Sequence, residues 1–250
     1  MRDRRLIGVV IPARDEAKAI GHVLAEIPGW VDAIVVADNG SRDATADIAR
    51  NAGARVVSEL RPGYGAACLA GIRALPPVDV VIFLDGDHSD YPDDMATLVD
   101  PILEGRAELV IGTRMPGASA ALTAQQRFGN GLAVWLIRAL WGVRFSDLGP
   151  FRAIAKPALD RLGMADRDFG WTVEMQIKAA EQGLATAEVP VRYRQRIGAS
   201  KISGTVRGTL RAGAKILLVI GRHGLRRLLS GKPQLARGLV KPAGRDCTSD

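Results

Sequence analysis

Two carboxylates, Asp85 and Asp87, flank a single glycine directly after the apolar run Val80–Leu84, and His88, Ser89 and Asp90 follow. Acids this close repel one another unless a positive charge lies between them. A hard divalent cation such as Mg²⁺ or Mn²⁺ meets that need, since such ions take one or two protein carboxylates and complete their shell with phosphate oxygens. The alternative is a solvated acidic turn that opens the helix expected from Pro92. Asp38-Asn-Gly-Ser41 is a second group with chemical capacity. Its carboxylate can accept from a base N–H or a ribose hydroxyl, and its glycine permits close backbone approach. Ser41 and Asp43 read best as turn and N-cap residues. Gly63-Tyr-Gly65, ahead of a helix, can cradle a phosphate or serve as plain turn chemistry.

These groups need a scaffold that brings them together. The run Val80–Leu84 is rich in β-branched residues and reads as a strand buried on both faces, which is the habit of parallel sheets. Strands are expected at Leu6–Ile11, Ala33–Ala37, Arg55–Ser58, Asp79–Leu84 and Glu108–Gly112. Helices are expected between them, at Glu16–Ile27, through Ala52, at Ala66–Ala74 and at Pro92–Glu104. Such alternation implies right-handed crossovers and a parallel sheet, whose carboxyl edge gathers ligands. Pro12–Glu16, Asp38–Asp43, Arg61–Gly65, Asp85–Asp87 and Thr113-Arg114 all fall at that edge. Beyond it the pattern loosens into a helical stretch over 123–141, a short strand after Ser146–Arg152, a helix over Trp171–Gln182 and a strand over Ala185–Arg192.

Composition narrows the class. A chain of 250 residues, 47% of them hydrophobic, can bury a substantial core. Two cysteines exclude a disulfide scaffold and suit a reducing compartment, and three histidines without ligand spacing argue against zinc. The first strand begins at Leu6, so no secretory leader is expected. No apolar run reaches membrane-spanning length, about 18–20 residues. Neither a Walker P-loop nor a Gly-x-Gly-x-x-Gly turn follows the first strand, which disfavours kinase and dinucleotide chemistry. The net charge of +7 is uneven: residues 1–191 carry 20 basic and 25 acidic side chains, whereas residues 192–245 carry 14 Arg or Lys and no acid. A basic section on an acidic body implies a polyanionic partner.

Three ordered segments, Val9–Glu16, Asp38–Thr45 and Asp85-Gly-Asp87, resemble the signatures of the family-2 glycosyltransferases, and more narrowly the dolichol-phosphate or polyprenyl-phosphate mannosyltransferase-like branch. Gly112-Thr-Arg114, Asp147–Arg152 and Glu188–Ser203 extend the resemblance in order and approximate spacing over about residues 6–205. The resemblance implies an α/β GT-A fold, Rossmann-like, with a mostly parallel central sheet flanked by helices. It also implies an inverting transfer of one sugar from a nucleotide-sugar donor, a UDP- or GDP-sugar. By the same resemblance, Pro12, Arg14, Glu16 and Asp38 line the nucleoside pocket, and Asp85 and Asp87 hold the diphosphate through Mg²⁺ or Mn²⁺. Arg114 and Arg152 lie near the donor and acceptor phosphates, and Ser200-Lys201 belongs to a mobile basic loop. The chain departs from the pattern at Arg14, where Asn is common, at Asn39, where a second Asp is, and at Ser89, where Gln helps ligate metal. Gly149-Pro150 replaces a usual Ser-Gly.

The acceptor decides whether a proton must be taken. A hydroxyl acceptor needs a carboxylate within hydrogen-bond reach, for which Asp147 and Glu174 are the candidates. A phosphate monoester, already ionised, needs none. Glu174 reads equally as a helix-surface acid, and Trp171 as a packing residue rather than a sugar platform. Residues 206–228 form an amphipathic helix with a cationic stripe of Arg207, Arg211, Lys215, Arg222 and Arg226 beside an apolar arc of Leu210, Ala214, Leu217 and Ile220. That pattern suits an anionic membrane interface, and equally a helix packed on the body with its arginines solvated. Tyr193 is the only aromatic residue from 192 to 250, which disfavours nucleic acid. The expectation is a cytoplasmic enzyme, peripheral at the inner membrane face, with a lipid-phosphate acceptor. A soluble or glycan hydroxyl acceptor and a sugar nucleotidyltransferase are the alternatives. Domain limits are expected at 1–205, 206–228 and a poorly ordered tail over 229–250.

Overall fold

A computed structural model describes residues 1–115, 124–198 and 206–230. The chain runs β1 (Ile7–Ala13), α1 (Ile20–Ala25), β2 (Ala33–Asp38), α2 (Thr45–Asn51), β3 (Arg55–Ser58), α3 (Tyr64–Ala74) and β4 (Val80–Phe83). It continues through α4 (Met95–Leu103), β5 (Leu109–Arg114), α5 (Ala124–Trp141), β6 (Arg152–Ala155), α6 (Lys156–Leu162), α7 (Trp171–Glu181), β7 (Thr186–Val191) and α8 (Val206–Ser230). Seven strands form one sheet in the order β3-β2-β1-β4-β6-β5-β7.

Every residue of β1 and β4 is buried, as their unbroken apolar runs require of strands covered on both faces. Alternate residues serve different layers. Val9, Ile11, Val80 and Ile82 face a core shared with α1, α2 and α4. Val10, Val81 and Phe83 face one shared with α3, α5, α6, α7 and α8. Pairing is parallel from β3 to β4 and between β5 and β7, while β6 runs antiparallel between β4 and β5, with Arg152 opposite both Phe83 and Ile111. The reversal follows from the path of the chain: after α5 the loop 142–151 returns at the carboxyl edge, so the next strand must run back across the sheet. Strands β1, β2, β4 and β5 therefore all deliver their carboxyl ends to one rim.

Two elements differ from the sequence expectation. The first helix begins at Ile20 rather than Glu16. The N–H groups that would start it are used elsewhere: Glu16 N donates to Thr45 Oγ1 (2.8 Å) and Ala17 N to Asp43 Oδ2 (3.1 Å). Helix α6 was not expected, although Pro157 in its first turn and Gly163 beyond its end, left-handed at φ +55°, are ordinary start and stop signals. Ser41 does not cap α2; its Oγ accepts from Asp15 N (2.9 Å). The bonds of Ser41, Asp43 and Thr45 stitch the loop after β1 to the loop after β2.

Helix α8 packs on α5 and α7. Ile220 is buried there, not part of an outward apolar arc, and Lys215 is not a free member of a cationic stripe: its Nζ pairs with Asp166 Oδ2 (2.9 Å). The outward face instead carries Leu217, Leu218, Leu225, Leu228 and Leu229, with exposed Arg222 and Arg226 alongside. The side chains of Leu210, Arg207 and Arg211, the Ser200-Lys201 loop and the tail beyond Ser230 lie outside the described residues. No described helix is long and apolar enough to cross a membrane.

Candidate active site

At the carboxyl rim lies a cavity of about 310 Å³. Pro12, Arg14 and Glu16 line it from β1, Asp85 and Asp87 from β4, and Tyr64 from the start of α3. Asp38 ends β2 next to Ala13, buried, with Oδ1 accepting from Ser41 N (3.3 Å). Asn39 holds the opposite wall together. Its amide donates to the carbonyls of Glu59 (2.9 Å) and Arg61 (2.8 Å), and its Oδ1 accepts from Gly63 N (2.8 Å). Only an amide can do both at once, which accounts for Asn at this position. The backbone is left-handed at Asp15 (φ +51°) and His88 (φ +65°), both beside the cavity, a conformation that non-glycine residues adopt rarely and at some cost.

The electrostatics of the rim are set by burial. Asp85 is pushed up to about 7, first by burial and then by the charge of Asp87, while its hydrogen bond from Tyr64 Oη (3.0 Å) works the other way. Asp90 lies well above the usual carboxylate range for the same reasons, burial first and then the charges of Asp85 and Asp87. Its Oδ2 is buried without a hydrogen-bond partner among the described residues. Asp87 is engaged at both oxygens: Oδ1 accepts from Ser89 N (2.9 Å) and Oδ2 meets Arg196 Nη1 (3.1 Å). The same guanidinium donates through Nη2 to Glu16 Oε1 (2.9 Å). Arg196 thus ties the loop after β1 to the loop after β4, and it was not singled out in the sequence. The signal for it was there: a row of acids at one rim requires a nearby cation, and residues 192–245 are free of acid.

Arg114 and Asp147 form a separate pair beside this cavity. Arg114 Nε donates to Asp147 Oδ2 (2.7 Å), Nη2 donates to Oδ1, and the guanidinium lies 5.4 Å from the Tyr193 ring. The fork occupies both carboxylate oxygens. Asp147 is therefore placed to orient Arg114, and Arg114 is placed next to Asp90.

Arg152 and Glu174 are held away from the cavity. Arg152 is fully buried, with Nη1 donating to the Thr172 carbonyl (3.1 Å), Nη2 to Leu148 (3.2 Å) and Nε to Gly149 (3.1 Å). Burial lowers it to about 10, so it stays charged at neutral pH. Glu174 takes the N–H groups of Ala165 (3.1 Å) and Asp166 (2.8 Å) and pairs with Lys178 (2.9 Å). Both brace loops that border the site. Gly65 is likewise a packing position. The first N–H groups of α3 are spent on the loop 166–168, with Ala66 N donating to Arg167 O (2.9 Å), and a Cβ at Gly65 would run into the Asp166 carbonyl oxygen. That loop supplies Asp168 and Phe169 to the cavity, two more residues the sequence did not announce. Trp171 is packed edge-on against Phe83, centroids 5.8 Å apart.

Asp85 and Asp87 supply hard oxygen donors, and among the described residues no cluster of three or more His, Cys, Asp or Glu forms a full cage. A partial shell of two carboxylates fits a Mg²⁺- or Mn²⁺-like ion whose remaining ligands come from phosphate, and does not fit zinc.

Comparison with known proteins agrees with this arrangement. Residues 8–137 match the Glycosyl transferase family 2 profile. An uncharacterized glycosyltransferase of Mycobacterium tuberculosis is 38% identical over 205 residues, covering 82% of this chain and 93% of the relative. A dolichyl-phosphate hexose transferase of Haloferax volcanii is 33% identical over 199 residues, 78% of this chain and 86% of the relative. Among solved structures, glucosyl-3-phosphoglycerate synthase from M. tuberculosis, in complex with Mn²⁺, UDP-glucose and phosphoglyceric acid, superposes with a TM-score of 0.71 at 26% identity, over 88% of this chain and 80% of that one. A GT-A fold with the carboxylates of Asp85 and Asp87 at its rim, matched by these relatives, places the chain in glycosyltransferase family 2 as a hexosyltransferase.

Proposed function

We propose that the chain transfers a hexose, with inversion, from a nucleoside diphosphate-sugar to a polyprenyl phosphate. The observation that carries the donor half is the rim cavity in which Pro12, Arg14 and Glu16 face Asp85 and Asp87. Asp85 and Asp87 would hold Mg²⁺ or Mn²⁺, which supplies positive charge to the departing diphosphate. The Mn²⁺ and UDP-glucose bound to the solved relative make UDP the first base to test. Pro12, Arg14, Glu16 and Asp38 take the nucleoside side. Arg114, fixed in direction by Asp147, is the cation offered to an acceptor phosphate. Lys201 adds a further cation from its own segment.

A phosphate acceptor agrees with the state of Asp147. A phosphate oxygen is already a nucleophile and needs no base, and Asp147 has both oxygens committed to Arg114. The outward faces of two packed helices support a lipid carrier at an anionic membrane surface: Phe128 and Trp135 on α5, and Leu218, Leu225 and Leu229 on α8, are all more than half exposed. Apolar groups flanked by Arg222 and Arg226 suit the boundary between acyl chains and anionic headgroups. A second reading, a soluble phosphate-bearing acceptor that attacks through a hydroxyl, rests on the phosphoglyceric acid in the solved relative.

The test is a donor screen with UDP- and GDP-sugars and Mn²⁺, followed by transfer of labelled sugar to polyprenyl phosphate in anionic vesicles or to 3-phosphoglycerate. Label in the organic phase supports the lipid reading, and label on phosphoglycerate alone overturns it. No metal-dependent use of any donor removes the donor reading as well. Flotation with those vesicles should be lost in Leu218→Glu/Leu225→Glu, and undiminished flotation would remove the membrane surface from the proposal.

A further inference from the structure

The guanidinium of Arg196 touches both sides of the donor cavity, 3.1 Å from Asp87 Oδ2 and 2.9 Å from Glu16 Oε1. Its backbone cannot follow the side chain freely. Ile197 N donates to Asp87 O (2.9 Å), and Arg194 N donates to Ser89 O (2.8 Å). Arg194 is itself locked, through Nε to the His88 carbonyl (2.6 Å) and through Nη2 to Glu26 Oε2 (2.6 Å). The segment 194–197 is a fixed strap over the end of β4, and the Arg196 side chain is the part able to turn. Its Nε is buried without a hydrogen-bond partner. A guanidinium normally satisfies all its donors when buried, so this orientation leaves one demand unmet that an anionic oxygen would meet.

We propose that Arg196 is an internal competitor for the metal carboxylate: a divalent cation that ligates Asp87 must displace the Arg196 guanidinium, which then turns to the diphosphate of the donor. This rests on the reading that Asp85 and Asp87 hold the metal. Asp87 has no spare oxygen, since Oδ1 is occupied by Ser89 N and Oδ2 by Arg196. A dication and a guanidinium on one oxygen would stand a few ångströms apart with like charge. Arg196 also compensates Glu16, so its departure leaves an anionic cavity that accepts a cation and a diphosphate together better than either alone. Cation without nucleotide pays the full displacement, whereas cation with nucleotide gives the guanidinium a new partner. Metal and donor binding are thereby made cooperative.

Mn²⁺ affinity, read by electron paramagnetic resonance of the free ion and by calorimetry, tests this on the full chain. Arg196→Gln should bind Mn²⁺ alone at least tenfold more tightly than wild type. Arg196→Lys, which keeps the charge, should stay within about threefold of wild type. Adding UDP should tighten Mn²⁺ binding strongly in wild type and much less in Arg196→Gln. Circular dichroism melts verify that both variants fold, and a salt titration of Mn²⁺ binding to wild type gives a reading that needs no variant. Equal or weaker Mn²⁺ binding in Arg196→Gln, or equal UDP enhancement in both, overturns the competition while leaving the metal reading intact. Failure of wild type to bind Mn²⁺ even with UDP removes the metal reading itself.

Discussion

Replacing Asp147 with Asn separates a positioning role from a proton-accepting one. The substitution leaves the Arg114 guanidinium, mostly buried, facing an amide in place of a carboxylate, and turns one donor of the pair against another. Removing one member of a buried ion pair costs about 3–5 kcal/mol. The lower end applies here, because the charge of Asp90 and the ring of Tyr193 remain beside Arg114. A loss of about 3 kcal/mol lowers the melting temperature by about 6–12 °C in a chain of this size. Replacing both partners by apolar residues, Arg114→Met with Asp147→Leu, should restore much of that loss, giving a coupling of about 2 kcal/mol or more in the double-mutant cycle. Chemical denaturation of the four proteins measures it. The pH–rate profile gives the functional half: kcat/KM falls in Asp147→Asn, but the acid limb persists, whereas loss of a general base would abolish it. A stability cost below about 1 kcal/mol, additive single effects, or a vanished acid limb would refute the assignment of Asp147 to holding Arg114.

Other perturbations follow from the same geometry. Gly65→Ala drives a methyl group into the Asp166 carbonyl, so it should cost about 1–3 kcal/mol in urea denaturation and weaken UDP binding through Asp168 and Phe169; unchanged values in both would contradict the packing role. Glu174→Gln should lose about 2–3 kcal/mol by stranding Lys178, with an unaltered pH–rate profile, and a shifted profile would return Glu174 to the chemistry. Asp85 is raised from 3.8 to about 7 on folding, so the folded state binds this proton more tightly than the unfolded one. In EDTA, stability should therefore fall as pH rises from about 4 to 7. Stabilisation by Mn²⁺ should grow over the same window, and a melting shift equal at pH 5 and pH 8 would contradict it.

The donor half was legible because its chemistry sits on short turns after continuous apolar strands. Val80–Leu84 announces a buried strand, and whatever follows it must stand at the rim, so Asp85 and Asp87 could be placed by topology alone. Pro12, Arg14 and Glu16 were reachable by the same argument, although Glu16 lies in a turn rather than in the first helix. Long-range partners were not legible. Arg196 lies 109 positions after Asp87, and nothing local distinguishes it from the other arginines of its segment. Arg152 and Glu174 look equally chemical in sequence, yet their charges are spent on backbone groups that only the returned loop 142–151 and the loop 163–168 bring near them. The antiparallel strand β6 escaped for a related reason: four residues, Arg152–Ala155, carry too little pattern to reveal direction.

Asp166 has a wider consequence. One of its oxygens receives Asp168 N (2.8 Å) and Gly170 N (3.1 Å), and the other meets Lys215 of the terminal helix. The floor of the sugar-nucleotide chamber and the outermost helix are thus fastened to a single side chain. A version of the enzyme trimmed at residue 205 would strand that acid and strip the cover from Val219 and Ile220. The minimal catalytic unit therefore extends through α8, and anything that grips this helix from outside pulls directly on the chamber.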